Sequence, residues 1–96
     1  RMSIKVRIPS ALRKLTNGQA ELSGSGATVR DLLRDLGREN PALLDRITAE
    51  DGGVRQFLNI FVNGSDIRYE GDLDTPLKPG DEVSIVPSIA GGGRRG

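Results

Sequence analysis

The chain has no cysteine, no histidine and no tryptophan, and its aromatics amount to one tyrosine and two phenylalanines. The missing cysteine removes thiolate nucleophiles and disulfides. Without histidine as well, the usual zinc-ligand sets and nucleophile–histidine–acid triads cannot be assembled from this chain. An excess of charge of one sign is also lacking. The 14 Lys+Arg nearly balance the 13 Asp+Glu, a formal net charge of +1, too even for the basic footprint of a nucleic-acid binder. No apolar run approaches the ~20 residues that span a bilayer. The alternating segment Arg1–Ile8 is unlike the continuous apolar centre of a signal peptide. The expectation is a cytoplasmic protein with neither nucleic acid nor membrane as partner. For acid–base work only carboxylates, hydroxyls, one tyrosine and three lysines remain, and no spacing activates them. We expect no self-sufficient enzyme, no metal site and no bound cofactor. A reactive group must come from a partner or be made on the chain.

What is present suits one small domain. The 96 residues are 35% hydrophobic and 28% charged, the balance of a folded chain at the low end of core-forming size. Ser3–Ile8 alternates with period two, a strand with Ile4, Val6 and Ile8 inward. Pro9 ends it, a polar loop with Asn17-Gly18 follows, and residues 19–23 return as an antiparallel partner that Gly24-Ser25-Gly26 breaks. Thr28 to Asn40 is the clearest helix: Val29, Leu32, Leu33 and Leu36 fall at i, i+3, i+4 and i+7. Thr28 is placed as its N-cap, and Asp31 favours the helix dipole. Asn40-Pro41 stops it, and Pro41 opens a second short helix carrying Leu43, Leu44 and Ile47.

Residues 56–62 form the strongest strand, with Leu58, Ile60 and Val62 on one face and Phe57, Asn59 and Phe61 on the other. Asn63-Gly64 is a hairpin turn signal, with Ile67-Arg68-Tyr69 as the short return strand. Residues 73–77 read as irregular chain or one helical turn, residues 78–81 as a turn, and 82–87 as the last strand. One amphipathic helix cannot cover both faces of such a sheet. The pattern therefore predicts an α+β, β-grasp fold, with a mixed sheet and the main helix on one face. The domain is expected over residues 1–87, with a glycine-rich tail over 88–96.

With that order in place, the sequence resembles the ubiquitin-like sulfur carriers of the MoaD/ThiS type, and among them the CysO-type carriers of cysteine biosynthesis. The resemblance runs from Met2 to Gly92. It rests on the segment 57–63, on Leu77 with Pro79-Gly80-Asp81-Glu82-Val83, and on Ile85-Val86-Pro87-Ser88-Ile89-Ala90-Gly91-Gly92. It implies that a partner enzyme adenylates the terminal glycine carboxylate with ATP, and that a sulfur donor then displaces AMP to leave a thiocarboxylate. That sulfur attacks an electrophile on a second partner, a pyridoxal-phosphate cysteine synthase in the CysO-type case. The reactive residue is then Gly92, flanked by Gly91 and Gly93, because glycine backbone enters a narrow channel in conformations other residues avoid. Ordering a tail costs roughly 1–2 kcal/mol per residue, so the body must supply docking affinity. Phe57, Phe61 and Val86 are the candidates, since their parity opposes the core-facing positions.

One feature departs from the family pattern: Gly93-Arg94-Arg95-Gly96 follow the diglycine. An internal peptide carbonyl is not a carboxylate, so a tail-processing protease is expected to act first. The Ile-Ala-Gly-Gly register favours Gly92 over Gly93 as the mature end. Removing residues 93–96 takes away two arginines and brings the formal charge to −1. Three other readings stay open: a ubiquitin-like modifier joined to lysines through the same glycine, a carrier for molybdopterin, thiamin or thiosugar synthesis, and a β-grasp adaptor with an inert tail. Gly24-Ser25-Gly26 lacks the Lys-Ser/Thr ending of a phosphate loop. The acidic stretch 70–74 has no calcium-loop spacing. Tyr69 has no base nearby in sequence and receives no role.

Overall fold

The computed structural model describes residues 3–88. The three glycines Gly91, Gly92 and Gly93 lie outside the described residues. In chain order the elements are β1 (Ile4–Arg7), β2 (Glu21–Gly24), α1 (Val29–Glu39), α2 (Pro41–Ile47), β3 (Leu58–Val62), β4 (Ser65–Asp66) and β5 (Glu82–Pro87). The sheet order is β2-β1-β5-β3-β4. Only β1 and β5 run parallel; the other neighbours are antiparallel. The first and last strands thus lie side by side in the middle of a mixed sheet, as the β-grasp reading requires.

The period-two pattern of β1 does what it implies: Ile4, Val6 and Ile8 are buried, and Val83 and Ile85 of β5 join them. α1 lays its stripe of Val29, Leu32, Leu33 and Leu36 on that face, each no more than 5% exposed. The Thr28 side chain accepts a hydrogen bond from the Asp31 N–H (3.2 Å), so the helix begins at its cap. Leu43 and Ile47 of α2 close the side of the same core. At the far end of the hairpin, Asn63 (φ 50°) and Gly64 (φ 89°) both sit in left-handed backbone, the type I′ geometry whose twist matches its strands.

Four expectations change. The return strand is Ser65–Asp66, and Ile67–Tyr69 is instead a short 3-10 helix. The Asp66 carboxylate accepts the Arg68 N–H (2.9 Å) and caps that turn, which swings Ile67 into the core at 2% exposure. The loop after β1 contains a 3-10 helix, Ser10–Thr16. It is held by Thr16, a fully buried hydroxyl lying 2.9 Å from the Gln19 carbonyl and 3.1 Å from that of Arg13. Gly24 does not break β2 but ends inside it, paired with Ile4. Val62, expected inward, is only half-buried.

Two glycines are fixed by close approach. A Cβ on Gly26 would stand 2.5 Å from the Leu32 backbone nitrogen and 2.9 Å from the Asp31 carbonyl carbon. On Gly37 it would meet the Leu44 Cδ2 methyl at 2.5 Å, where α1 passes α2. Backbone cannot yield as a rotatable methyl can. Gly26→Ala is therefore expected to cost about 1–3 kcal/mol. Gly37→Ala gains about 1 kcal/mol of helix propensity against its clash and should cost less. Urea melts of the two variants check the order, and equal midpoints would contradict it.

Candidate functional site

β5 is hydrogen-bonded along both edges, to β1 and to β3. The bonding to β3 continues past the strand, because the Ser88 N–H donates to the Phe57 carbonyl (2.7 Å). The chain is tied to the sheet through Ser88, at the rim where β3 begins.

Around that rim the open face of the sheet is apolar. Phe57 is 49% exposed and Val86 39%. Asn59 faces Val86 across the β3–β5 ladder, and Phe61 faces Ser84. Phe57, Phe61 and Val86 therefore share the face away from α1, as their parity predicted. Phe61 is half-buried, so it contributes less free surface than Phe57. Beyond Val86 and Pro87 the face runs into a shallow depression of about 580 Å³ that passes Ile8 and Pro9 between Arg7 and Arg13.

The far half of the same face is charged. Arg7 and Glu82 form an ion pair across β1 and β5. The hydrogen bond from the guanidinium, reinforced by its charge, holds the Glu82 carboxyl below the usual range and raises the Arg7 pKa. The base of β5 is clamped to the hairpin tip by Asn63. Its Nδ2 donates to Asp81 Oδ1 (3.0 Å), and its Oδ1 accepts the Glu82 N–H (3.0 Å). Asp81 Oδ2 accepts the Lys78 N–H (2.8 Å). These hydrogen bonds, the one from Asn63 first, hold the Asp81 carboxyl below its ordinary value.

Sequence pattern placed Asn59 on this face without giving it a part. Its Oδ1 is buried with no hydrogen-bond partner, an arrangement that costs about 1–3 kcal/mol. Position alone signals nothing of this, since it depends on what covers the amide. Among the described residues no cluster of three or more Asp or Glu is arranged to hold a metal ion, and no helix is long and apolar enough to cross a membrane. The geometry offers an apolar rim, with Ser88 held at it, and a charged flank at the opposite end of β5. Among the described residues no hydroxyl is hydrogen-bonded to a carboxylate or amine that could act as its base.

Comparison with known proteins places this geometry. Residues 6–92 match the profile of the ThiS family. The chain belongs to the ThiS family of sulfur carriers. The sulfur carrier protein CysO of Mycobacterium tuberculosis is 38% identical over 93 residues, covering 95% of this chain and all of that one. The CysO of Amycolatopsis orientalis, whose crystal structure is of a BexX/CysO complex, superposes with a TM-score of 0.86 at 32% identity, over 91% of this chain and 97% of that one. The small archaeal modifier protein 3 of Haloferax volcanii is 41% identical over 66 residues, 69% of this chain and 71% of that protein. Sulfur carriers of this family are protein substrates of partner enzymes, and the expectation of a carrier in place of an enzyme stands with that membership.

The Asp81 clamp is open to test. A carboxyl whose folded pKa is depressed stabilises above its unfolded value and loses that contribution as pH falls through the folded one. The stability difference between the wild type and Asp81→Asn should be constant from neutral pH down to about pH 5 and shrink below about pH 4. Thermal melts across that range measure it. A difference that grows on acidification would contradict the clamp.

Proposed function

We propose that this protein carries sulfur on the carboxyl terminus of Gly92, exposed after proteolytic removal of residues 93–96, and delivers it in cysteine biosynthesis in the cytoplasm. The observation that carries the reading is the end-to-end likeness to CysO, 38% identity across the whole of that carrier, with the ThiS match running to residue 92. The fold supports it by holding the last described residue at the rim of an apolar face.

A carboxylate resists nucleophiles through resonance and negative charge, and a mixed anhydride removes both obstacles. In the first step the Gly92 carboxylate oxygen attacks the α-phosphorus of ATP on an adenylating partner, and pyrophosphate leaves. Sulfide then adds to the acyl carbon and AMP departs, leaving the glycine thiocarboxylate. Its sulfur is a far better nucleophile than the parent oxygen and forms the new bond to carbon on an acceptor enzyme. This chain contributes no proton transfer. It docks, presents the end and excludes nothing. ATP, and pyridoxal phosphate in the acceptor, belong to the partners.

Magnitudes divide the work between body and tail. Four residues beyond Ser88 reach at most about 14 Å when extended, so the docked rim must sit close to the nucleotide. Ordering them costs roughly 4–8 kcal/mol. Phe57 and Val86 are already about half-buried, so covering them and part of Phe61 contributes about half of the 1.5–3 kcal/mol of a full side chain for each, which offsets part of that cost and leaves the rest to the flanking polar contacts. A second reading, a modifier joined to lysine amines through the same activated glycine, is favoured by the likeness to small archaeal modifier protein 3. The two share adenylation and part at the attacking atom, sulfur or nitrogen.

Pyrophosphate exchange into ATP by the cognate adenylating enzyme tests the proposal. Chain ending at Gly92 should support exchange, and chain ending at Gly96 should not. Phe57→Asp should raise KM for the carrier by about tenfold or more with kcat unchanged, its circular dichroism staying that of the wild type. Equal exchange by both chain ends would refute the trimming step. An unaltered KM would remove Phe57 from the interface.

A further inference from the structure

The sequence holds two Asn-Gly steps, Asn17-Gly18 and Asn63-Gly64. Both asparagines sit in left-handed backbone, at φ 57° and φ 50°, and both are exposed. An Asn-Gly step is the peptide unit most open to attack on itself, because glycine has no side chain to shield its nitrogen from the asparagine amide carbon. Residue types and backbone angle match at the two turns. Any difference in reactivity therefore comes from what holds each side chain.

Asn63 is held at both ends of its amide. Nδ2 donates to Asp81 Oδ1 (3.0 Å), Oδ1 accepts the Glu82 N–H (3.0 Å), and the Asn63 N–H donates to the Glu82 carbonyl (2.8 Å). Turning the amide carbon onto the Gly64 nitrogen breaks both side-chain bonds at once. Asn17 instead ends the 3-10 helix Ser10–Thr16. The side-chain bonds of that turn run from the Thr16 hydroxyl to the Arg13 and Gln19 carbonyls, and among the described residues they leave the Asn17 amide out. One bond guards this step, from the Gly18 N–H to the Arg13 carbonyl (2.7 Å). That carbonyl also takes the Asn17 N–H and the Thr16 hydroxyl, three donors for two lone pairs. It lies in the last turn of a 3-10 helix, where hydrogen-bond geometry is poorer and the chain opens locally.

We propose that Asn17 is the site at which this protein deamidates, passing through a succinimide with Gly18 to aspartate and isoaspartate, and that the clamp on Asn63 protects the second Asn-Gly step. The Gly18 nitrogen, its proton passing to hydroxide, bonds to the Asn17 Cγ, and Nδ2 leaves as ammonia. Water then opens the ring at either carbonyl, with nothing oxidised or reduced. The product carries one more negative charge and, in its isoaspartyl form, one more methylene in the main chain. Both changes fall on the turn between the 3-10 helix and β2. The protected step is the one that ties the base of β5, the strand from which the chain end leaves. Chemical ageing is thereby directed to a turn that does not place that end.

The whole protein, kept folded in mildly alkaline buffer and sampled over days, is digested briefly with trypsin. Cleavage after Lys14, Arg30, Arg55 and Arg68 puts the two steps in separate peptides, residues 15–30 and 56–68. Each conversion adds about 1 Da. Fragmentation assigns it to Asn17 or Asn63, and paired chromatographic peaks report aspartate and isoaspartate. Asn17 is expected to convert about tenfold or more faster than Asn63, the difference that breaking two hydrogen bonds makes. In concentrated urea the two rates should converge. Asp81→Ala, its fold checked by circular dichroism, should speed conversion at Asn63 severalfold and leave Asn17 unaltered. Asn63 reacting as fast as Asn17 in the folded protein would overturn the assignment. So would Asn17 staying intact when folded while both steps convert in urea. A gap of the same size in urea would trace the difference to sequence neighbours and overturn its structural cause. A rate at Asn63 that Asp81→Ala leaves unchanged would overturn the part given to the clamp.

Discussion

The parallel pairing of β1 with β5 is the constraint from which the rest follows. It puts the last strand in the centre of the sheet, hydrogen-bonded on both edges, so the end of the chain leaves from the most firmly held part of the molecule. A strand at an edge would fray and carry its terminus with it. Here the Ser88–Phe57 bond extends the hold beyond the strand. A carrier needs this division: a chain end that enters another protein's active site, and a body that fixes where it starts. The core of β1, β5 and α1 sets the position of Ser88, from which the proposed chemistry begins four residues further on.

The two faces of the sheet divide the apolar residues for different reasons. The inner face is filled by α1, whose stripe leaves Val29 and Leu32 with no exposure. Among the described residues no helix covers the outer face, which keeps Phe57 and Val86 partly in water. In so small a protein, with so few aromatic side chains, leaving Phe57 half in solvent forgoes burial that the core would otherwise gain. The Arg7–Glu82 pair bounds this apolar area on its far side and keeps the exposed patch small.

Much of this was legible in the chain because its signals are local. Alternation set the faces of β1 and β3, the i, i+3, i+4, i+7 stripe set α1, and Asn63-Gly64 set the hairpin. The exposed positions of Phe57 and Val86 followed from parity alone. What escaped was decided by tertiary contacts. Ile67 alternates well enough to read as a strand, yet the Asp66 cap turns the chain into a 3-10 helix that buries it. Ser10–Thr16 looks polar, and only the buried Thr16 hydroxyl shows why it folds against the body. Asn59 shares a face with two phenylalanines in any reading of the strand, but its lack of a partner is a property of three dimensions. The reactive end proposed at Gly92 rests on family resemblance, because a glycine-rich terminus by itself has no specific physical signature.

The central claim is that the terminal glycine is loaded with sulfur while the body stays chemically inert. Intact mass of the protein recovered from cells that also make its activating enzyme tests it most directly. The account predicts a species ending at Gly92 and heavier than the corresponding acid by about 16 Da, one oxygen replaced by sulfur. Recovery of the acid alone, or only of the chain joined to lysines of other proteins, would contradict it.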